Sequence, residues 1–182
     1  MDGRDGVVLQ VGGEWEIRFE RRLEHPAEQV WAAITGPGQM SRWFDRTQMP
    51  DPLAAGTVIR FHHEAAGMDS EGHITALDPP RLIEWLWSGP SGAANPIRWV
   101  IRPESGGCRL VMSQRVKDPA MLARSAAGWH ACLGRMQDVL DGGHGGGMEA
   151  WPVLFERYCA ELRASGVTTP QLGAPPTPPP KP

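Results

Sequence analysis

The alternation of hydrophobic and polar residues changes period twice along the chain. Trp15, Ile17 and Phe19 alternate with Glu16, Arg18 and Glu20, so Trp15–Leu23 is predicted as a half-buried strand. A helix is expected directly after it. Pro26 suits its first position, Glu28 favours the positive end of its dipole, Gly36 suits its stop, and Val30, Trp31 and Ile34 form its inward face. A second, short helix over Gln39–Phe44 gathers Met40, Trp43 and Phe44. From Gly56 the period of two returns. It predicts five strands over Val58–His62, Gly72–Leu77, Leu82–Trp87, Ile97–Arg102 and Cys108–Gln114. Their connections are short and rich in turn formers, which favours an antiparallel meander.

One face of that meander is apolar. Ile83, Trp85 and Trp87 lie opposite Glu84, Ile97, Trp99 and Ile101 opposite Arg98 and Arg102, and Leu110 and Met112 opposite Arg109 and Val111. An apolar sheet face must be covered. The cover is a helix that Asp118 caps and Pro119 opens, with no breaker before Gly142. Leu122, Ala126, Trp129, Leu133, Met136 and Leu140 recur along it as one continuous stripe. Gly128, on its flank, offers close approach to a neighbouring backbone at some cost in helix propensity.

The order of elements and a set of local phrases resemble the helix-grip fold of the SRPBCC (START-like) superfamily. The branch is the one similar to activators of heat-shock protein 90 ATPase, the AHSA type. The phrases are Phe19-Glu20-Arg21, His25-Pro26, Val30-Trp31, Trp43-Phe44, Leu77-Asp78-Pro79-Pro80-Arg81-Leu82 leading to Trp87, and Gly128-Trp129-His130 with Leu133. The Trp151–Tyr158 stretch resembles the final short helix of bacterial members. The resemblance implies an α+β fold in which a curved antiparallel sheet of about six strands wraps a long C-terminal helix. It also implies a hydrophobic ligand held between the two. A minority of the superfamily are cyclases, aromatases or dehydratases.

The expected organisation is an extension over 1–14, the helix-grip domain over 15–141 and a Gly-rich break over 142–147. An accessory helix over 148–165, packed on the outside, and a Pro-rich disordered tail over 166–182 complete it. Net charge is −3 over 182 residues, which gives no pull toward nucleic acid or acidic membrane. No apolar run is long enough to span a bilayer, and Met1-Asp2-Gly3-Arg4-Asp5 lacks a signal-peptide core. Cys108, Cys132 and Cys159 are widely spaced and read as reduced, partly buried thiols of a cytoplasmic protein.

Motifs for catalysis are incomplete. His63-Glu64-Ala65-Ala66-Gly67 begins like the zinc motif H-E-x-x-H, but Gly67 stands where the second histidine belongs. His62 and His63 are adjacent at a strand end, point to opposite faces, and read as polar loop-edge residues. Gly89-Pro90-Ser91-Gly92-Ala93 departs from the G-x-S-x-G elbow at Ala93 and joins two strands, so it reads as a turn. No metal or cofactor is expected. His130 is the ionisable residue nearest the expected cavity, with no carboxylate evident as its partner. Arg60 and Gln114 read as structural or solvent-facing. In the tail, Pro176-Thr177-Pro178-Pro179-Pro180-Lys181 has the P-x-x-P form.

Eight tryptophans against one tyrosine carry the functional expectation. Trp43, Phe61, Trp85, Trp87, Trp99, Met112 and Trp129 should converge between sheet and helix, where they either line a ligand site or fill a packed core. With Gln114, His130 and Leu133 they form the candidate ligand-binding set. The expected function is a binding protein, not an enzyme, that holds a hydrophobic small molecule. The alternatives are a module that engages a chaperone or regulator protein, or a cyclase or hydrolase working through His130. The chain is expected as monomer or homodimer.

Overall fold

The computed structural model describes residues 5–64, 66–88, 94–146 and 149–167. A hairpin of β1 (Val7–Val11) and β2 (Glu14–Leu23) comes first, then helix α1 (Ala27–Thr35) and a 3-10 turn at Met40–Arg42. The meander follows as β3 (Arg46–Gln48), β4 (Val58–His63), β5 (Met68–Asp78), β6 (Leu82–Ser88), β7 (Ala94–Glu104) and β8 (Gly107–Val116). A 3-10 turn at Pro119–Met121 leads into α2 (Leu122–Leu140), and α3 (Trp151–Ala164) packs on it.

All the described strands belong to one antiparallel sheet in the order β1-β2-β8-β7-β6-β5-β4-β3. The last strand, β8, returns to pair with β2, from Trp15 opposite Val116 to Leu23 opposite Cys108. The predicted two-sidedness holds. Ile83, Trp85, Ile97, Trp99, Ile101, Leu110 and Met112 are buried toward α2. The other face carries ion pairs such as Arg98–Glu84 at 2.9 Å and Arg115–Glu14 at 2.5 Å. This is the helix-grip arrangement.

Two strands go beyond the six expected. Residues 1–14 include β1, whose Val-Val-Leu-Gln-Val run has no clean alternation to announce a strand. Strand β3 is three residues long, too short for any period. On α1 the buried face is Val30, Ala33 and Ile34, with Trp31 only half-buried.

The expected stripe on α2 is buried in full, but so are Ala123, Ala127, His130, Cys132 and Val139. A second face is buried because α3 covers it with Leu154, Phe155, Tyr158 and Leu162. Asp118 accepts from the Ala120 amide at 2.9 Å and so caps the 3-10 turn, one turn ahead of the α-helix proper. Gly128 does not serve a close approach: a Cβ there would meet nothing within 4 Å among the described residues. The three cysteines are free and buried, and burial raises each thiol pKa, Cys132 to about 11. The G-x-S-x-G near-match and the P-x-x-P tail lie outside the described residues.

Candidate functional site

The inward positions of β6 and β7 place Trp85, Trp87 and Trp99 on the concave face, β4 adds Phe61, and α2 lowers Trp129 onto them. Trp43 and Phe44 arrive from the end of the 3-10 turn. Their rings form one connected cluster. Trp129 lies edge-on to Trp99 at 5.6 Å and to Trp87 at 6.2 Å, and Phe44 stacks on Trp129 at 5.3 Å. Trp85 stacks on Trp99 at 6.1 Å and meets Phe61 at 6.4 Å. Gly72 makes room for this: a Cβ there would lie 2.7 Å from Trp85 Cδ1.

The indole N–H groups divide into two kinds. Trp43 donates to the Ala33 carbonyl at 2.9 Å, Trp129 to Gln114 Oε1 at 2.7 Å, and Trp87 to Ser70 Oγ at 3.0 Å. Trp85 and Trp99 are completely buried, yet their N–H groups have no acceptor among the described residues. A buried donor without a partner costs about 1–3 kcal/mol. Two in neighbouring rings are an unusual load for a native interior, where such groups are paired in the great majority.

Most of the expected set is therefore brought together. Met112 is buried opposite Trp99 on β8, Leu133 is buried on α2, and Gln114 is the acceptor that orients Trp129. Arg60 is solvent-facing and pairs with Glu71 at 3.6 Å. His130 has its described partners elsewhere. Its Nδ1 is 3.0 Å from the Tyr158 hydroxyl, which accepts from the Gly6 amide at 2.8 Å, and its ring lies edge-on to Phe19. A carboxylate does face it: Asp5 is 3.6 Å away, supplied by the chain ahead of β1. Burial, aided by Arg21 and Arg157, holds the His130 pKa below the ordinary histidine value, and burial pushes Tyr158 up to about 12.

The expected ligand-binding set omitted Phe44, and the sequence announced no polar chain beside the rings. Strand β4 runs one residue further than expected, so His63 joins Ile59 and Phe61 on the inner face and is not a loop-edge residue. Its Nδ1 is 2.6 Å from Asp45 Oδ2 and its Nε2 is 2.7 Å from Ser70 Oγ. His62 points the other way and pairs with Asp69 at 2.6 Å. No spacing announces this trio, because the register of β4 with β5 and the turn before β3 assemble it. Among the described residues no group of three His, Cys, Asp or Glu side chains is placed to hold a metal.

Residues 24–141 match the family described as Activator of Hsp90 ATPase homolog 1-like protein, and the chain belongs to that family. Similar solved structures share its fold at low identity. CalU16 from Micromonospora echinospora is 21% identical with a TM-score of 0.65, covering 88% of this chain and 93% of its own. EF2215 from Enterococcus faecalis is 14% identical with a TM-score of 0.73, covering 90% and 93%. DynU16, described as a protein of the dynemicin biosynthetic locus, is 20% identical with a TM-score of 0.62, covering 71% of this chain and 49% of its own. No curated protein sequence matches the chain. Among the described residues no helix is long and apolar enough to cross a membrane.

Proposed function

We propose that the domain binds a flat, largely apolar small molecule against the tryptophan cluster, through an acceptor group that pairs with Trp85 and Trp99. The observation that carries this is the pair of buried, unpartnered indole N–H donors. The surrounding wall supplies aromatic surface and few polar groups, the composition that small-molecule sites favour. A carbonyl or phenolate oxygen would take up the two donors and recover their desolvation cost. That DynU16 is described as a protein of the dynemicin biosynthetic locus agrees with a small metabolite as the ligand class. The chain is proposed to bind rather than transform this ligand at the tryptophans themselves.

The test compares two naphthalenes of one shape. 2-Acetonaphthone carries an acceptor and 2-ethylnaphthalene does not. Tryptophan quenching should report tighter binding of the ketone by about tenfold or more, the worth of one or two recovered hydrogen bonds. That preference should vanish in the Trp85→Phe/Trp99→Phe double variant. Equal affinity of the two probes for the native chain would reject the reading.

A second reading, engagement of a chaperone or regulator protein, draws on strand β1. It stands at one end of the sheet, with Val7, Leu9 and Val11 exposed. Such an edge can accept a strand from a partner. A Leu9→Lys variant that still retained every partner captured by the native chain would count against it.

A further inference from the structure

We propose that Asp45, His63 and Ser70 form a nucleophilic site at the end of the grip, in which Ser70 attacks the acyl carbon of a carboxylic ester. The site stands on its own geometry. It rests on the binding function proposed above only for the aromatic character of the ester.

The direction of the hydrogen bonds follows from the donor inventory. A carboxylate only accepts, so the 2.6 Å contact from Asp45 Oδ2 places the ring proton on His63 Nδ1. In the neutral ring His63 Nε2 is the acceptor, and across the 2.7 Å contact the Ser70 hydroxyl is its donor. Trp87 Nε1 donates to the same Ser70 oxygen at 3.0 Å, which uses one of its lone pairs and leaves the hydroxyl's own proton free to turn toward the histidine. Carboxylate, imidazole and hydroxyl therefore stand in the order and polarity in which a serine is activated for acyl transfer.

Position supports a role beyond cross-linking β4, β5 and the turn before β3. His63 and Ser70 are on the concave face, nine-tenths buried, and the imidazole meets the rings of Trp87 at 5.9 Å and Phe61 at 6.5 Å. Those are members of the aromatic cluster, so an aromatic ester lying on them would bring its acyl group to Ser70. Asp45 is only partly buried and closes the chain on the solvent side.

The reaction balances with water as the only co-reactant. Ser70 Oγ bonds to the acyl carbon while its proton passes to His63 Nε2. The ester C–O bond then breaks, and His63 returns that proton to the departing alcohol. Water attacks the acyl-serine, gives a proton to His63, and the carboxylic acid leaves as Ser70 Oγ recovers it. Asp45 is a positioning residue that fixes the tautomer of the ring and stabilises the imidazolium.

The test treats the full chain with a small alkyl fluorophosphonate and locates the adduct by peptide mass mapping, alongside release of 1-naphthol from 1-naphthyl butyrate. The expected result is a single adduct on Ser70, forming about 100-fold more slowly or worse in His63→Gln. Hydrolysis should be lost in Ser70→Ala while 1-naphthyl butyrate still quenches tryptophan emission. In Asp45→Asn, kcat should fall about 100-fold or more with KM within about twofold, a split that general loosening of the site does not produce. Labelling of Ser70 without any quenching by 2-acetonaphthone would uphold the nucleophile and overturn the binding function. A native chain that binds the ketone but leaves Ser70 unlabelled, or labels it equally in His63→Gln, overturns the nucleophile. The first of those readouts needs no variant to fold.

Discussion

Trp129 on the long helix donates its indole N–H to Gln114 Oε1 on β8 at 2.7 Å, and both side chains are buried. This bond fixes the rotation of α2 over the sheet. It holds the Trp129 ring edge-on to Trp99 and parallel to Phe44, so the shape of the aromatic cluster depends on it.

Replacing Gln114 by Met keeps volume and removes the acceptor. The stranded indole N–H should cost about 1–3 kcal/mol of folding free energy, read from urea unfolding. Trp129→Phe in the same background should then add less than it does alone, because the two residues share one interaction. Full additivity would mean that the bond contributes nothing.

Gly72 is a packing requirement. Its missing Cβ is occupied by the Trp85 ring, and Phe61 Cε2 would lie 3.2 Å from any methyl placed there. Gly72→Ala should destabilise by about 1–3 kcal/mol through overpacking. It should also change the near-UV circular dichroism, as the Trp85 ring is displaced.

Gly128 is the opposite case. It has helical neighbours on both sides and open space where its Cβ would stand. Gly128→Ala should stabilise by about 0.5–1 kcal/mol and raise Tm, by removing the helix-propensity penalty of glycine.

His130 makes stability depend on pH with a definite sign. Its folded-state pKa lies below the ordinary value of about 6.5. Between the two values the unfolded chain binds the proton and the folded chain does not, so stability is lost as pH falls from about 6.5 toward the lowered value. Above that window the group contributes no slope. Tm measured from pH 8 to 5 should fall less steeply in His130→Gln than in the native chain. Parallel curves would remove His130 as the cause.

The grip itself was legible in the sequence because it rests on long periodic segments. The alternation in β6, β7 and β8 and the stripe on α2 each demand a partner face, and each is the other's partner. Strands β1 and β3 escaped because one lacks alternation and the other is too short to have a period. The convergence of the tryptophans followed from their inward register. What did not follow was hydrogen-bond accounting. Nothing in the sequence distinguishes Trp87, whose N–H meets Ser70, from Trp85 two residues away, whose N–H meets no described acceptor. His130 adjoins Trp129 in sequence, but successive helical residues point about 100° apart. That turns it toward Tyr158 and α3 rather than toward the rings around Trp129. Asp45, His63 and Ser70 meet through the register of β4 with β5 and the turn before β3, which no local spacing encodes.

The most direct measurement is the indole region of a 15N–1H correlation spectrum, with each tryptophan assigned by substitution, recorded as 2-acetonaphthone is added. Trp85 and Trp99 N–H protons should move downfield as they gain an acceptor. The Trp43 proton, already bonded to Ala33, should hardly move. Unchanged Trp85 and Trp99 resonances in the ketone-saturated protein would contradict the account.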